Sequence, residues 1–132
     1  MRYMLDTDIC IYAVNERPPR VLQALRDHPA AGLGVSTITA SELHYGVART
    51  GSTRNAEALG RFLASPEVAD FDAAASDVAG QLRAWLAERG TPVGPYDALI
   101  ATHAQSLGVT LVTNNLRKFG RVPGLKLANW TD

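Results

Sequence analysis

Asp6 follows directly on the apolar run Tyr3-Met4-Leu5, and core packing does not explain a carboxylate there. A polar group at the tip of a buried strand is placed for chemistry more often than for stability. Two further acids stand where helices should begin. Glu42 closes the run Thr39-Ala40-Ser41-Glu42, and Asp97 follows Gly94-Pro95-Tyr96. Asn115 comes just after a second apolar run, Val109 to Thr113. Gathered at one place, these oxygens would repel one another unless a cation lay between them. An all-oxygen set of this kind suits hard, octahedral Mg2+ or Mn2+.

Each acid also has a local explanation. Glu42 has the spacing to close a capping box with Thr39, Asp97 would complement a helix dipole from the first turn, and Asp8 would cap a helix over Ile9 to Val14. His28, His44, His103 and the single Cys10 show no paired ligand spacing, so a zinc site is not expected. There is no Gly-x-x-x-x-Gly-Lys loop, no Gly-x-Gly-x-x-Gly and no Gly-x-Ser-x-Gly elbow. Asn129-Trp130-Thr131 matches a glycosylation sequon, which carries no meaning without a secretory signal.

The elements that must position these residues alternate between strand and helix. Tyr3 to Leu5 reads as a strand and Ile9 to Val14 as a helix. Pro18 and Pro19 open a second helix, with Val21, Leu22 and Leu25 on one face, which Pro29 ends. Leu33 to Thr37 is strand-like, and a helix carrying Leu43 and Val47 is expected to start at Thr39. Arg54 to Ala64 is helical and Val68 to Phe71 is a brief strand. Asp72 caps a helix with the stripe Val78, Leu82, Trp85 and Leu86, which ends at Gly90. Trp85 and Phe62 lie on such stripes and read as core. Pro95 opens a helix that ends at Gly108, Val109 to Thr113 is a buried strand, a turn with Phe119 follows, and Leu125 to Ala128 is a last strand. This order predicts an α/β fold: a three-layer α/β/α domain over residues 1–132, with a mainly parallel sheet of four or five strands. In such a sheet, ligands bind beyond the carboxyl ends of the strands, where Asp6, Asp97 and Asn115 fall.

With 132 residues, 46% hydrophobic and 20% charged, the composition excludes a disordered or collagen-like chain. One cysteine excludes an internal disulfide. Asp6 interrupts the N-terminus before an apolar signal region could form, so a cytoplasmic location is expected, and the charge-free stretch from Ala98 to Leu116 is too polar to span a membrane. The formal net charge is zero, which argues against holding nucleic acid by bulk electrostatics. Local sums differ: +1 over residues 1–66, −4 over 67–97 and +3 over 98–132. The last segment concentrates its charge in Arg117, Lys118, Arg121 and Lys126, a candidate phosphate-facing edge that reads equally as a solvated face.

Four segments together resemble one family. They are Met4-Leu5-Asp6-Thr7-Asp8, Ser41-Glu42-Leu43-His44-Tyr45-Gly46, Pro92-Val93-Gly94-Pro95-Tyr96-Asp97 and Leu111-Val112-Thr113-Asn114-Asn115. In order and spacing they are similar to PIN-domain ribonucleases, and more narrowly to the VapC toxins of bacterial toxin-antitoxin pairs. The resemblance implies a Mg2+-dependent endoribonuclease. In it the acids matching Asp6 and Asp97 bind metal, Glu42 completes the cluster, and the Thr7 and Thr113 hydroxyls support it. The turn before Asp97 resembles the subgroup that cuts initiator tRNA in its anticodon stem-loop. The family further implies a homodimer and a VapB-type antitoxin whose tail occupies the active site, with operator DNA bound only through the antitoxin.

The chain departs from the family at one point. A further acid usually follows the last catalytic strand, and here the two candidate positions hold Asn115 and Lys118. Asn115 can offer a carbonyl oxygen, whereas Lys118 competes with a second cation. A one-metal site or weaker metal binding is therefore expected, with Lys118, Arg117 and Arg121 as candidate contacts for RNA phosphate. Two rivals follow from the same residues. Asp6-Thr7-Asp8 mimics the nucleophile motif of haloacid-dehalogenase phosphatases, although Cys10 and the lack of late acids disagree with it. The other rival is a binding module that keeps the fold while Asn115 and Lys118 have blunted cleavage.

Overall fold

A computed structural model describes residues 1–91 and 93–131. Five strands form one sheet: β1 (Tyr3–Leu5), β2 (Leu33–Ser36), β3 (Glu67–Ala69), β4 (Thr110–Val112) and β5 (Leu127–Ala128). Their spatial order is β3-β2-β1-β4-β5, and every neighbouring pair is parallel. The chain therefore builds outward from β1 in one direction, returns, and builds outward in the other. The reversal opens a crevice between the ends of β1 and β4, the place where open α/β sheets bind ligands.

Alternation along the short strands divides the core in two. Met4 and Leu111 face one side with Ile100, Ala101, Ala104 and Phe119, while Leu5 and Val112 face the other with Ile9, Val21, Val35, Leu43 and Leu59. The second side is covered by α1 (Thr7–Val14), α2 (Pro19–Asp27), α3 (Thr37–Thr50) and α4 (Thr53–Leu63). The first is covered by α5 (Ala73–Glu88), α6 (Pro95–Leu107) and the short α7 (Leu116–Phe119). Buried alanines at 75 and 79 on α5 and at 98, 101 and 104 on α6 suit close packing of these two helices. Trp85 and Phe62 pack partly buried against the two cores, as their stripes predict. No described helix is long and apolar enough to cross a membrane.

Two helix starts differ from expectation, and both differences touch the site. Helix α1 begins at Thr7 because Asp6 is its N-cap: Asp6 Oδ1 accepts from the Thr7 amide at 2.8 Å. Asp8 is therefore not a cap but an exposed first-turn acid. Helix α3 begins at Thr37, capped by Ser36 at the end of β2, whose Oγ accepts from the Ile38 amide at 3.0 Å. Thr39 then lies buried inside the helix, and Glu42 closes no capping box.

Candidate active site

The crevice between β1 and β4 is built by capping and pairing. The Asp6 amide donates to the Val112 carbonyl at 2.9 Å, which carries the sheet one residue past β1 and aims the Asp6 side chain over the strand ends. Asp6 Oδ2 accepts from the Thr113 hydroxyl at 2.9 Å. The residue is only 4% exposed. Burial pushes its carboxyl up from 3.8 to about 6, against the lowering effect of the Thr113 and Thr7 hydrogen bonds and with smaller upward pushes from Asp97 and Asp8. A carboxyl so placed invites a cation.

Glu42 reaches the same crevice from the second turn of α3. Its Oε1 accepts from the Thr7 hydroxyl at 3.0 Å. Burial raises its carboxyl too, with Asp97 and Asp8 adding to the rise while the Thr7 hydrogen bond and Lys118 oppose it. Asp97 stands in the first turn of α6, behind a Pro95 that fixes the helix start and a Gly94 at its N-cap. A β-carbon at Gly94 would lie 3.4 Å from Asp97 Oδ2, so the bare backbone gives that carboxylate room. Pro92, the first residue of the same turn, lies outside the described residues.

Lys118 is the charge-balancing member. Its Nζ donates to Asp97 Oδ2 at 2.6 Å, with the two side chains 34% and 27% exposed. The Asp97 contact holds the ammonium above its ordinary range, and Asp6 and Asp8 add to the rise. Asn115 sets this contact up. Its Oδ1 accepts from the Lys118 amide at 3.0 Å as the N-cap of α7, and its own amide donates to Thr113 Oγ1. One lone pair of the Asn115 oxygen caps α7, and through that cap the residue helps to place Lys118. Arg117 and Arg121 are exposed beside it, on and just after α7.

Asp6, Glu42, Asp97 and Lys118 therefore share one electrostatic neighbourhood, with the Thr7 hydroxyl bonded to Glu42 and the Thr113 hydroxyl to Asp6. Sequence reasoning set Asp8 aside as a cap, although its charge raises both Asp6 and Glu42. Moving the start of α1 to Thr7 would have found it, since that puts Asp8 in the first turn, facing the same charges. His103 takes no part. It is buried, its Nδ1 lies 2.8 Å from Ser36 Oγ, and burial lowers its proton affinity. The Cys10 thiol is buried and pushed far up by desolvation, which leaves it inert.

The donor set fits a divalent cation by chemistry, being carboxylates and hydroxyls alone. Among the described residues, however, no three His, Cys, Asp or Glu side chains are gathered into a group able to hold a metal by themselves. Mg2+ needs no such cage, because it is usually held through one or two carboxylates and keeps most of its water. Asp6 and Asp97 are the two carboxylates that could serve in this way, with Lys118 giving up Asp97 Oδ2.

The PIN-domain family matches this chain over residues 3–125. The chain is 40% identical, over 98% of its length and 98% of theirs, to the tRNA(fMet)-specific endonuclease VapC of Salmonella typhimurium. It is a PIN-domain protein of the VapC ribonuclease family. The corresponding enzyme of Shigella flexneri is also 40% identical, over 99% of both chains. Two solved structures overlay closely. VapBC from Salmonella typhimurium bound to DNA gives a TM-score of 0.91 at 41% identity, covering 98% of each chain. VapBC2 from Rickettsia felis bound to a promoter DNA fragment gives 0.89 at 40%, covering 98% of this chain and 99% of the other. Membership of this family makes the chain an endoribonuclease, and PIN-domain nucleases depend on divalent metal. It also removes the phosphatase reading of Asp6-Thr7-Asp8.

Proposed function

We propose that this VapC-family ribonuclease is the toxin of a type II toxin-antitoxin pair. It hydrolyses, with Mg2+, a phosphodiester in the anticodon stem-loop of initiator tRNA and so stops translation. The observation that carries the reading is the coupling of Asp6 and of Glu42 to the charge of Asp97 at the crevice between β1 and β4, in a chain 40% identical to the tRNA(fMet)-specific endonucleases throughout.

Asp6 and Asp97 would hold the cation, with Mn2+ an acceptable substitute. When bound, it supplies Lewis-acid chemistry, making water a better nucleophile and neutralising charge that builds on the phosphate. Thr113 and the Thr7 amide orient Asp6 so that its carboxylate needs no rearrangement to bind. Glu42, held through Oε1 by Thr7 and made more basic by burial, is suited to accept a proton from the attacking water. Lys118, Arg117 and Arg121 form the positive edge for the RNA backbone.

The partner is a VapB-type antitoxin, through which the pair meets operator DNA. A groove of about 360 Å3 between α1, α3 and α4, lined by Ile11, Leu43, Val47 and Leu59 and ending at Thr7 and Glu42, suits its tail. The working unit is a homodimer in the bacterial cytoplasm.

The test is cleavage of a tRNA pool by the purified protein with Mg2+, with EDTA, and as Asp97→Ala, the products being read by length. Magnesium-dependent nicking of one tRNA, lost in both controls, is the expected result. A second reading, a binding module with blunted cleavage, is favoured by the 2.6 Å pair between Lys118 and Asp97. No cutting by a folded protein that still binds antitoxin would replace the first reading with the second.

A further inference from the structure

Tyr45 and Tyr96 are the two most exposed large side chains among the described hydrophobic residues, at 64% and 59%. Both line one cavity of about 500 Å3, together with Ile38, Ser41 and Glu42. Residues 38, 41, 42 and 45 follow the helical spacing i, i+3, i+4, i+7, so a single face of α3 supplies one wall. Tyr96, in the first turn of α6, supplies the other. Neither ring is used by the fold. Tyr96 has no hydrogen bond or ring contact among the described residues. Tyr45 has one partner, the Arg49 guanidinium, 5.7 Å from its ring centroid.

The position of this slot identifies its occupant. Glu42 lines the slot and also belongs to the carboxylate crevice, Tyr96 is the chain neighbour of Asp97, and Tyr45 lies one turn along α3 from Glu42. A phosphodiester placed at Asp6 and Asp97 therefore brings one of its flanking nucleotides against the two tyrosines. Exposed aromatic faces bind unpaired bases by stacking whatever their identity, and a nearby cation meets the adjoining phosphate. A paired base inside a helix cannot enter, because its faces are already covered.

We infer that Tyr45 and Tyr96 form a stacking slot for one unpaired nucleobase beside the scissile phosphate, with Arg49 on the backbone next to it. The inference rests on the nuclease reading above and adds a requirement to it: the RNA must be single-stranded at the nucleotide adjoining the cut. The slot selects for loop structure more than for sequence, and the crevice performs the chemistry.

The test uses an initiator-tRNA anticodon stem-loop carrying 2-aminopurine at one loop position at a time, bound to full-length Asp97→Asn protein so that the RNA stays intact. Fluorescence is expected to be quenched at a position next to the cut, and the quench to be lost with Tyr45→Ala or Tyr96→Ala and kept with Tyr→Phe. In the otherwise unaltered enzyme, each alanine variant should raise KM about thirtyfold, the middle of the range for one lost base stack, with kcat little changed. Sedimentation of the same variants decides between the slot and a contact between two copies of the chain. RNA that is cut with unchanged KM, or alanine variants that turn a dimer into monomers, would overturn the slot alone. RNA that is neither bound nor cut by the unaltered protein would overturn the nuclease reading and the slot with it.

Discussion

Replacing Asp6 by Asn should abolish cleavage and make the protein more stable at alkaline pH. The magnitude follows from the burial of this carboxyl, which lifts it from 3.8 to about 6. The folded chain binds a proton at Asp6 more tightly than the unfolded chain does. The stability contributed by the protonated acid is therefore complete below about pH 4 and is lost as pH rises through 6. At roughly 1.4 kcal/mol per pH unit, the ionised group costs about 3 kcal/mol at pH 8. Asn carries no charge but accepts less strongly from Thr7 and Thr113, which returns part of that gain, so the net stabilisation should be about 1–3 kcal/mol. Glu42 adds its own pH dependence. The charges that move it are Asp97, Asp8 and Lys118, so it cancels in the comparison. The assay is urea denaturation of both proteins in EDTA at pH 8 and pH 4. Equal stability at pH 8, or the same difference at both pH values, would refute the burial argument.

Lys118→Gln frees Asp97 from its ammonium. A charge-assisted hydrogen bond is worth roughly 1.5–3 kcal/mol, and exposure puts this one at the low end, so Mn2+ affinity by titration calorimetry should rise about tenfold. Lys118→Glu should add a second bound Mn2+ per chain, and an unchanged stoichiometry would count against Lys118 standing in a cation's place. Thr113→Val removes the hydroxyl that lowers Asp6. The acid limb of the pH–rate profile should then move to higher pH, with a loss of about 1 kcal/mol in denaturant midpoint measurements.

The architecture was largely legible because its signals are local. Alternation in Met4-Leu5 and Leu111-Val112, the prolines opening α2 and α6, and Asp72 before α5 each act within a few residues. Asp6 stood out for the same reason, as a charge where a strand pattern ends. The misplaced start of α3 shows the limit. Ser36 and Thr39 both have cap chemistry, and Ser36, paired with Ala69 at the end of β2, is the one that caps, which no local spacing records. The couplings that make the site lay further out of reach. Thr7 meets Glu42 across 35 residues, Lys118 meets Asp97 across 21, and the capping role of Asn115 depends on α7, a helix that the sequence showed only as a turn. A lysine among acids reads as a departure in sequence and as a closed ion pair in space.

The hydrogen bond from Thr113 to Asp6 joins residues 107 positions apart, across the pairing of the first strand with the fourth. During synthesis, Asp6 is made 107 residues before the hydroxyl that orients it, and the strand that buries it comes just ahead of that hydroxyl. An unfinished chain has the acid but no crevice around it, because pairing of such long range waits for both partners. A nuclease proposed to halt translation is thus harmless to the ribosome making it until the fourth strand has emerged, and its partner has the whole of that interval in which to be ready.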